Sequence, residues 1–78
     1  MWIDIKDIVP EVGQPVWYVL HGVVYEGVYD CWKPNSYETH YIFAGARGYV
    51  DSIDIDGWMP KVWSKTSPQY DKKDETDV

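Results

Sequence analysis

The residues that could do chemistry in this chain are few. Ser52-Ile53-Asp54-Ile55-Asp56-Gly57 places oxygen ligands at alternate positions ahead of a glycine, as the first half of a calcium loop does. The position that should close such a loop with a bidentate Glu is Trp63, and no helices flank it. A strand with alternating acids, Asp54 and Asp56 on one face and Ile53 and Ile55 on the other, is the better account. Cys31, His21 and His40 are the soft metal donors, and none is paired at a zinc-ligand spacing. Cys31 and His40 would suffice as a nucleophile and its base. One of each in 78 residues carries little weight, so neither enzymatic activity, a metal nor a cofactor is expected.

Aromatic side chains are the more informative chemistry. Val16 to Tyr29 reads V-W-Y-V-L-H-G-V-V-Y-E-G-V-Y, two strands around a His21-Gly22 turn. A two-residue hairpin turn sets Leu20 against Val23, Val19 against Val24, Tyr18 against Tyr25 and Trp17 against Glu26. Alternation then sorts the side chains into two faces. One carries Val19, Val24 and Val28, with Trp17 and Glu26 at its outer end. The other carries Val16, Tyr18, Leu20, Val23, Tyr25 and Tyr29. Phenol hydroxyls need water or a partner, and tyrosine suits a surface that is apolar and wettable together. On that reading the valines face the core, and Tyr18, Tyr25 and Tyr29 form a recognition platform with Glu26, Asp54, Asp56 and Trp32. The alternative arrangement puts the tyrosines inside, with their hydroxyls at the rim.

The elements that must position these residues are strands. Short β-branched and aromatic runs, broken by Gly, Pro, Asn and Asp, fall at 2–5, 16–20, 23–29, 39–44 and within 49–58. Residues 7–15 read as a connection with room for one helical turn, residues 30–36 as a loop, and Gly45-Ala46-Arg47-Gly48 as a turn. The expected fold is all-β: a five-stranded antiparallel meander curled into a small SH3-like barrel. One domain spans 1–65. The polar sequence 66–78 is too poor in aliphatics to order itself and is expected to be a disordered tail.

Charge limits the partners. Residues 1–64 hold nine acids (Asp4, Asp7, Glu11, Glu26, Asp30, Glu38, Asp51, Asp54, Asp56) against four bases (Lys6, Lys33, Arg47, Lys61), so the body carries −5 of the total −6. Such a body repels phosphate backbones and anionic lipid and suits a basic protein surface. Spaced carboxylates could also imitate DNA phosphates. No apolar run is long enough to span a membrane. The single cysteine and the acidic start, with no signal peptide, point to a reducing compartment.

Three segments share a likeness. Trp2, Ile3, Ile5, Pro10, Glu11, Gly13 and Val16, then Gly27-Val28-Tyr29, then Trp58-Met59-Pro60 occur in order. They resemble a family of small phage and prophage proteins of unknown function. That family opens W-I-x-V with L-P-E-x-G, carries a central G-x-Y and closes on H-W-M-P. Two departures stand out: Asp56-Gly57 replaces the usual T-H, and Lys61-Val62-Trp63 replaces L-P-x-P-P. The resemblance implies a phage or mobile-element origin and a place in the host cytoplasm. It brings no established activity; as small acidic phage proteins often do, the domain is expected to bind, and inhibit, one host protein such as a defence nuclease or a nucleic-acid-binding protein, without enzymatic activity. Trp2 and Trp58 would then anchor the first strand to the last. The other readings of the same aromatics are a small-ligand or glycan site using Trp32, and self-association into a homodimer.

Overall fold

The computed structural model describes residues 2–34 and 37–70. His21 and Gly22 both take positive φ, 52° and 83°, the signature of the tight turn whose twist matches that of its strands. They join β1 (Pro15–Leu20) to β2 (Val23–Pro34) in the register read from the sequence, with Tyr18 opposite Tyr25 and Trp17 opposite Glu26.

Beyond Tyr29 the structure departs from expectation. Residues 30–34 belong to β2 and not to a loop, because an irregularity at Asp30 resets the register. Cys31 and Trp32 then pair with Ile42 and Tyr41 of β3 (Thr39–Gly45). The extra residue of a bulge lets a strand bend without losing its partner. Asn35 and Ser36, the heart of the expected turn, lie outside the described residues. β4 (Gly48–Asp51) follows β3 closely, Gly48 taking φ 83°.

The strand expected within 49–58 is two strands. The Asp51 carboxylate accepts a bond from the Ile53 amide at 3.0 Å and caps a 3-10 turn, Ser52–Asp54. β5 (Ile55–Pro60) leaves that turn and pairs with β1, and a second 3-10 turn, Lys61–Trp63, follows it. Asp54 therefore does not share a strand face with Asp56. The strand expected at 2–5 shrinks to one bridge, Ile3 to Trp58. Asp4 competes with the ladder: its side chain takes the Lys6 amide at 2.9 Å and its carbonyl the amides of Asp7 and Ile8.

The result is one antiparallel sheet in the order β4-β3-β2-β1-β5. Among the described residues no ladder joins β4 to β5, so the sheet is open and the expected closed barrel is not formed. No described helix is long and apolar enough to cross a membrane.

The core lies on the tyrosine side, which reverses the orientation read from the sequence. Tyr18 is 0% exposed and Tyr29 1%, packed with Val16, Leu20, Phe43, Val50 and Trp58. Phe43 sits 5.7 Å from the Tyr18 ring and 5.6 Å from that of Tyr29, centroid to centroid. The energetics favour this choice. Sealing a ring removes roughly 150–250 Å² from water, worth roughly 4–6 kcal/mol at about 25 cal/mol per Å². Neither buried hydroxyl has a partner among the described residues, which costs about 1–3 kcal/mol each. The rings win. Burial also pushes both phenols above their ordinary pKa.

Gly27 makes the crossing of β2 and β3 tight enough for this packing. A Cβ there would stand 2.5 Å from the Ala44 carbonyl oxygen and 3.0 Å from the Tyr18 ring. Gly27→Ala should therefore lower unfolding free energy by about 1–3 kcal/mol and Tyr18→Ala by about 3–5 kcal/mol. Val28→Ala, on the opposite face, should stay within about 0.5 kcal/mol. Urea titrations followed by tryptophan fluorescence check all three, and an equal loss for Tyr18→Ala and Val28→Ala would contradict the assignment of faces.

Candidate functional site

The valine face is the outer face, and it is covered on one half only. Period-two alternation sends Trp17 and Val19 of β1, Val24, Glu26 and Val28 of β2, Ile42 and Ala44 of β3, Tyr49 of β4 and Met59 of β5 to this side. Over β1 and β5 the residues after Pro60 fold back. Trp17, Val19 and Met59 are buried there, and Trp17 Nε1 donates to the Ser64 carbonyl at 3.0 Å. Lys61 holds the margin: its ammonium lies 5.5 Å from the Trp17 ring centroid and is ion-paired with Glu26.

Over β2, β3 and β4 the face is more open, with Lys61 and Ser67 at its margin. Val28 is 36% exposed and Tyr49 76%, with Val24, Ile42 and Ala44 half-buried beside them. A groove of about 950 Å³ runs along the boundary of the two halves. Pro15, Trp17, Val24, Val28 and Ala44 line it, and Ser67 reaches its end. Its walls are apolar, and the Glu26–Lys61 pair is set in its rim.

Of the residues expected to bind a partner, Glu26 presents its side chain at this groove. Glu26 is exposed there, whereas the half-buried Tyr25 ring lies on the core side of the sheet, 5.8 Å from the Tyr18 ring and with the Arg47 guanidinium 5.5 Å from its centroid. Tyr18 and Tyr29 lie in the core and present nothing to a partner, because their rings are what fills the concave side of the sheet. Trp32 is exposed on the far part of β2, opposite Tyr41. Asp54 lies in the 3-10 turn beside Tyr49 and Arg47, and Asp56 lies exposed on β5. The seven do not form one surface.

A second concavity, of about 330 Å³, lies where β3 begins. His40 stands at its wall with Nδ1 2.7 Å from Asp51 Oδ2 and Nε2 3.6 Å from Glu38 Oε2. Asp4 and Asp56 add carboxylates around it, and Lys6 one ammonium. The buried Ser52 hydroxyl accepts the Tyr41 amide at 3.0 Å. Partial burial pushes the Asp51 carboxyl up, but the Ile53 amide, His40 and Ser52 together outweigh it and hold the group below its ordinary value. Such a cleft attracts cations and orients one imidazole. Sequence reasoning missed Asp51. Its signal was an acid one residue before a short turn, which is where a capping carboxylate belongs.

Cys31 pairs across the ladder with Ile42, and His40 is engaged with Asp51 and Glu38. A hydrogen bond with Asp30, then desolvation, holds the Cys31 thiol above its usual pKa, the opposite of an activated nucleophile. Ser52 to Gly57, the would-be calcium loop, spans the 3-10 turn and the start of β5.

The chain matches no protein-family model, no curated protein and no solved structure. The geometry of the two concavities is accordingly what carries any functional reading.

Asp51 makes acid stability testable. A carboxyl held low in the folded state stabilises fully above its unfolded pKa of about 3.9. That contribution is lost as pH falls through the folded value. Thermal melts at about pH 5 and about pH 2.5 should show a smaller drop for Asp51→Asn than for the parent chain. An identical drop would remove Asp51 from the acid response.

Proposed function

We propose that this chain is a non-enzymatic protein-binding domain of phage or mobile-element origin. In this reading it occupies a basic surface of a host protein and thereby inhibits it. The observation that supports the reading is the half-covered outer face: one side of the sheet is a filled core, and the other leaves an aliphatic groove open beside an acidic body. A sheet face that is apolar without being covered calls for a partner. The body charge of −5 favours a basic one and speeds its encounter. The binding surface in this reading belongs to the valine side, with Val24, Val28 and Ala44 as its floor and Glu26 at its edge. In finer terms we read the fold as an opened SH3-like barrel. A meander, a 3-10 turn and a last strand returning to the first is the arrangement of such barrels.

The cleft at His40 supports the runner-up, a small-ligand site. Its carboxylates suit a cationic or hydroxylated ligand, and the ring beside it is that of Tyr41, not Trp32.

Capture from host lysate with the parent chain and with Val28→Asp, run side by side, tests the main reading. The expected outcome is a stoichiometric partner recovered by the parent and reduced at least about tenfold with the charge in the groove, a loss of about 1.4 kcal/mol. The variant's melting curve should be unchanged. A partner held equally by both, or none at low salt, would contradict the groove.

A further inference from the structure

Residues 64–70 cross the outer face outside any strand or helix. Lys65, Thr66, Ser67 and Gln69 are exposed, and Ser64, Pro68 and Tyr70 are half-buried. Among the described residues no backbone–backbone hydrogen bond ties 65–69 to the sheet. Two indoles hold the segment instead. Trp17 Nε1 donates to the Ser64 carbonyl at 3.0 Å, and Trp2 Nε1 to the Gln69 carbonyl at 3.1 Å. The Tyr70 ring meets the Trp2 ring edge-on at 5.9 Å, and Ser67 lies at the end of the groove.

These contacts read main chain. An indole N–H aimed at a carbonyl accepts any residue at that position, whereas the Tyr70 ring, edge-on to Trp2, is recognised as a side chain. That is how a surface holds an extended peptide: backbone bonds supply attachment and a few side chains supply choice. Trp17, which holds Ser64, is buried on this face together with Val19 and Met59, and Val24, Val28 and Ala44 share the face. Lifting the segment would free the Trp17 indole and extend the open groove toward β1.

We propose that Trp17 and Trp2 form a docking track for an extended peptide, that residues 64–70 occupy it in cis, and that a protein partner engages the outer face by displacing them with an extended segment of its own. The fitting segment has carbonyls free at two positions five residues apart, as at Ser64 and Gln69, an extended backbone between them and an aromatic directly after the second. Basic side chains in it are favoured by the acidic body. The proposal rests on the reading of the outer face as a binding surface. Its test needs no natural partner, so it fails or succeeds apart from the lysate capture.

The test uses indole N–H exchange in the full chain. Trp58, whose indole donates to the Ile8 carbonyl at 2.9 Å within the core, is the internal reference. Trp2 and Trp17 should exchange together and at least about tenfold faster than Trp58, by an opening insensitive to low denaturant. A tethered strap competes at an effective concentration on the order of millimolar, so it is weakened with Tyr70→Ser. That variant should speed Trp2 and Trp17 further and leave Trp58 alone. A synthetic peptide of residues 62–70 should then shift both indole signals saturably, at lower concentration than in the parent chain. One common exchange rate for the three indoles would overturn the proposal. So would loss of Trp58 protection in Tyr70→Ser, or an opened strap whose indoles ignore the peptide.

Discussion

Tyr18, Tyr29, Phe43 and Trp58 share the concave side of the sheet, and their mutual packing constrains every other placement. A strand has only two faces, so the choice is binary and cannot be made residue by residue. Once the Tyr18 ring turns inward, Val16 and Leu20 go with it, and Trp17 and Val19 must go outward. The hairpin register passes the same choice to Val24, Glu26 and Val28. Phe43 and Val50 follow through β3 and β4. Gly27 is part of the same constraint, since only a residue without a side chain lets the Ala44 carbonyl approach beside the Tyr18 ring.

What could be read from the sequence is what local chemistry decides. The His21-Gly22 turn and the pairing around it depend on two φ angles and on alternation, and both are as expected. The direction of the faces is not local. It depends on Phe43 and Trp58, which reach the concave side from strands 14 and 29 residues beyond Tyr29. Judged within the hairpin, the phenol hydroxyls argue for water. Judged with those two rings present, ring burial outweighs two unsatisfied hydroxyls. The extension of β2 is hidden for a related reason: Pro34-Asn35-Ser36 favours turning, so residues 30–36 read as a loop, but a bulge at Asp30 carries the ladder on to Pro34. Asp51 and Asp4 count as charge in the sequence, whereas in the structure both act as acceptors that end a strand and shape a turn.

The outer face owes its division to the same geometry. β1 and β5 are covered because the chain leaves β5 at Pro60 and turns back at once through Lys61–Trp63. A segment of that length reaches across two strands and no further. Trp17 is the meeting point: one edge of its ring is buried under the return, its N–H is spent on Ser64, and its other side forms the wall of the groove. The Glu26–Lys61 pair closes the margin there. Being exposed, it contributes at most about 1 kcal/mol to stability, and its greater effect is to hold the Lys61 stem against the indole.

Charge and apolar surface occupy different parts of the molecule, and that separation bears on how binding would work. The carboxylates gather around His40 and along the turns, away from the floor of the groove. Charges outside a contact steer the approach of a partner and raise the rate of encounter without having to be desolvated. An apolar floor then sets how long the partner stays. Had the tyrosine face been the outer one, its phenols would have needed matched hydrogen-bond acceptors on the partner. Valine and alanine impose no such matching. They select by shape alone, so on the proposed reading any choice of side chain would fall to the aromatic contact that Tyr70 makes with Trp2.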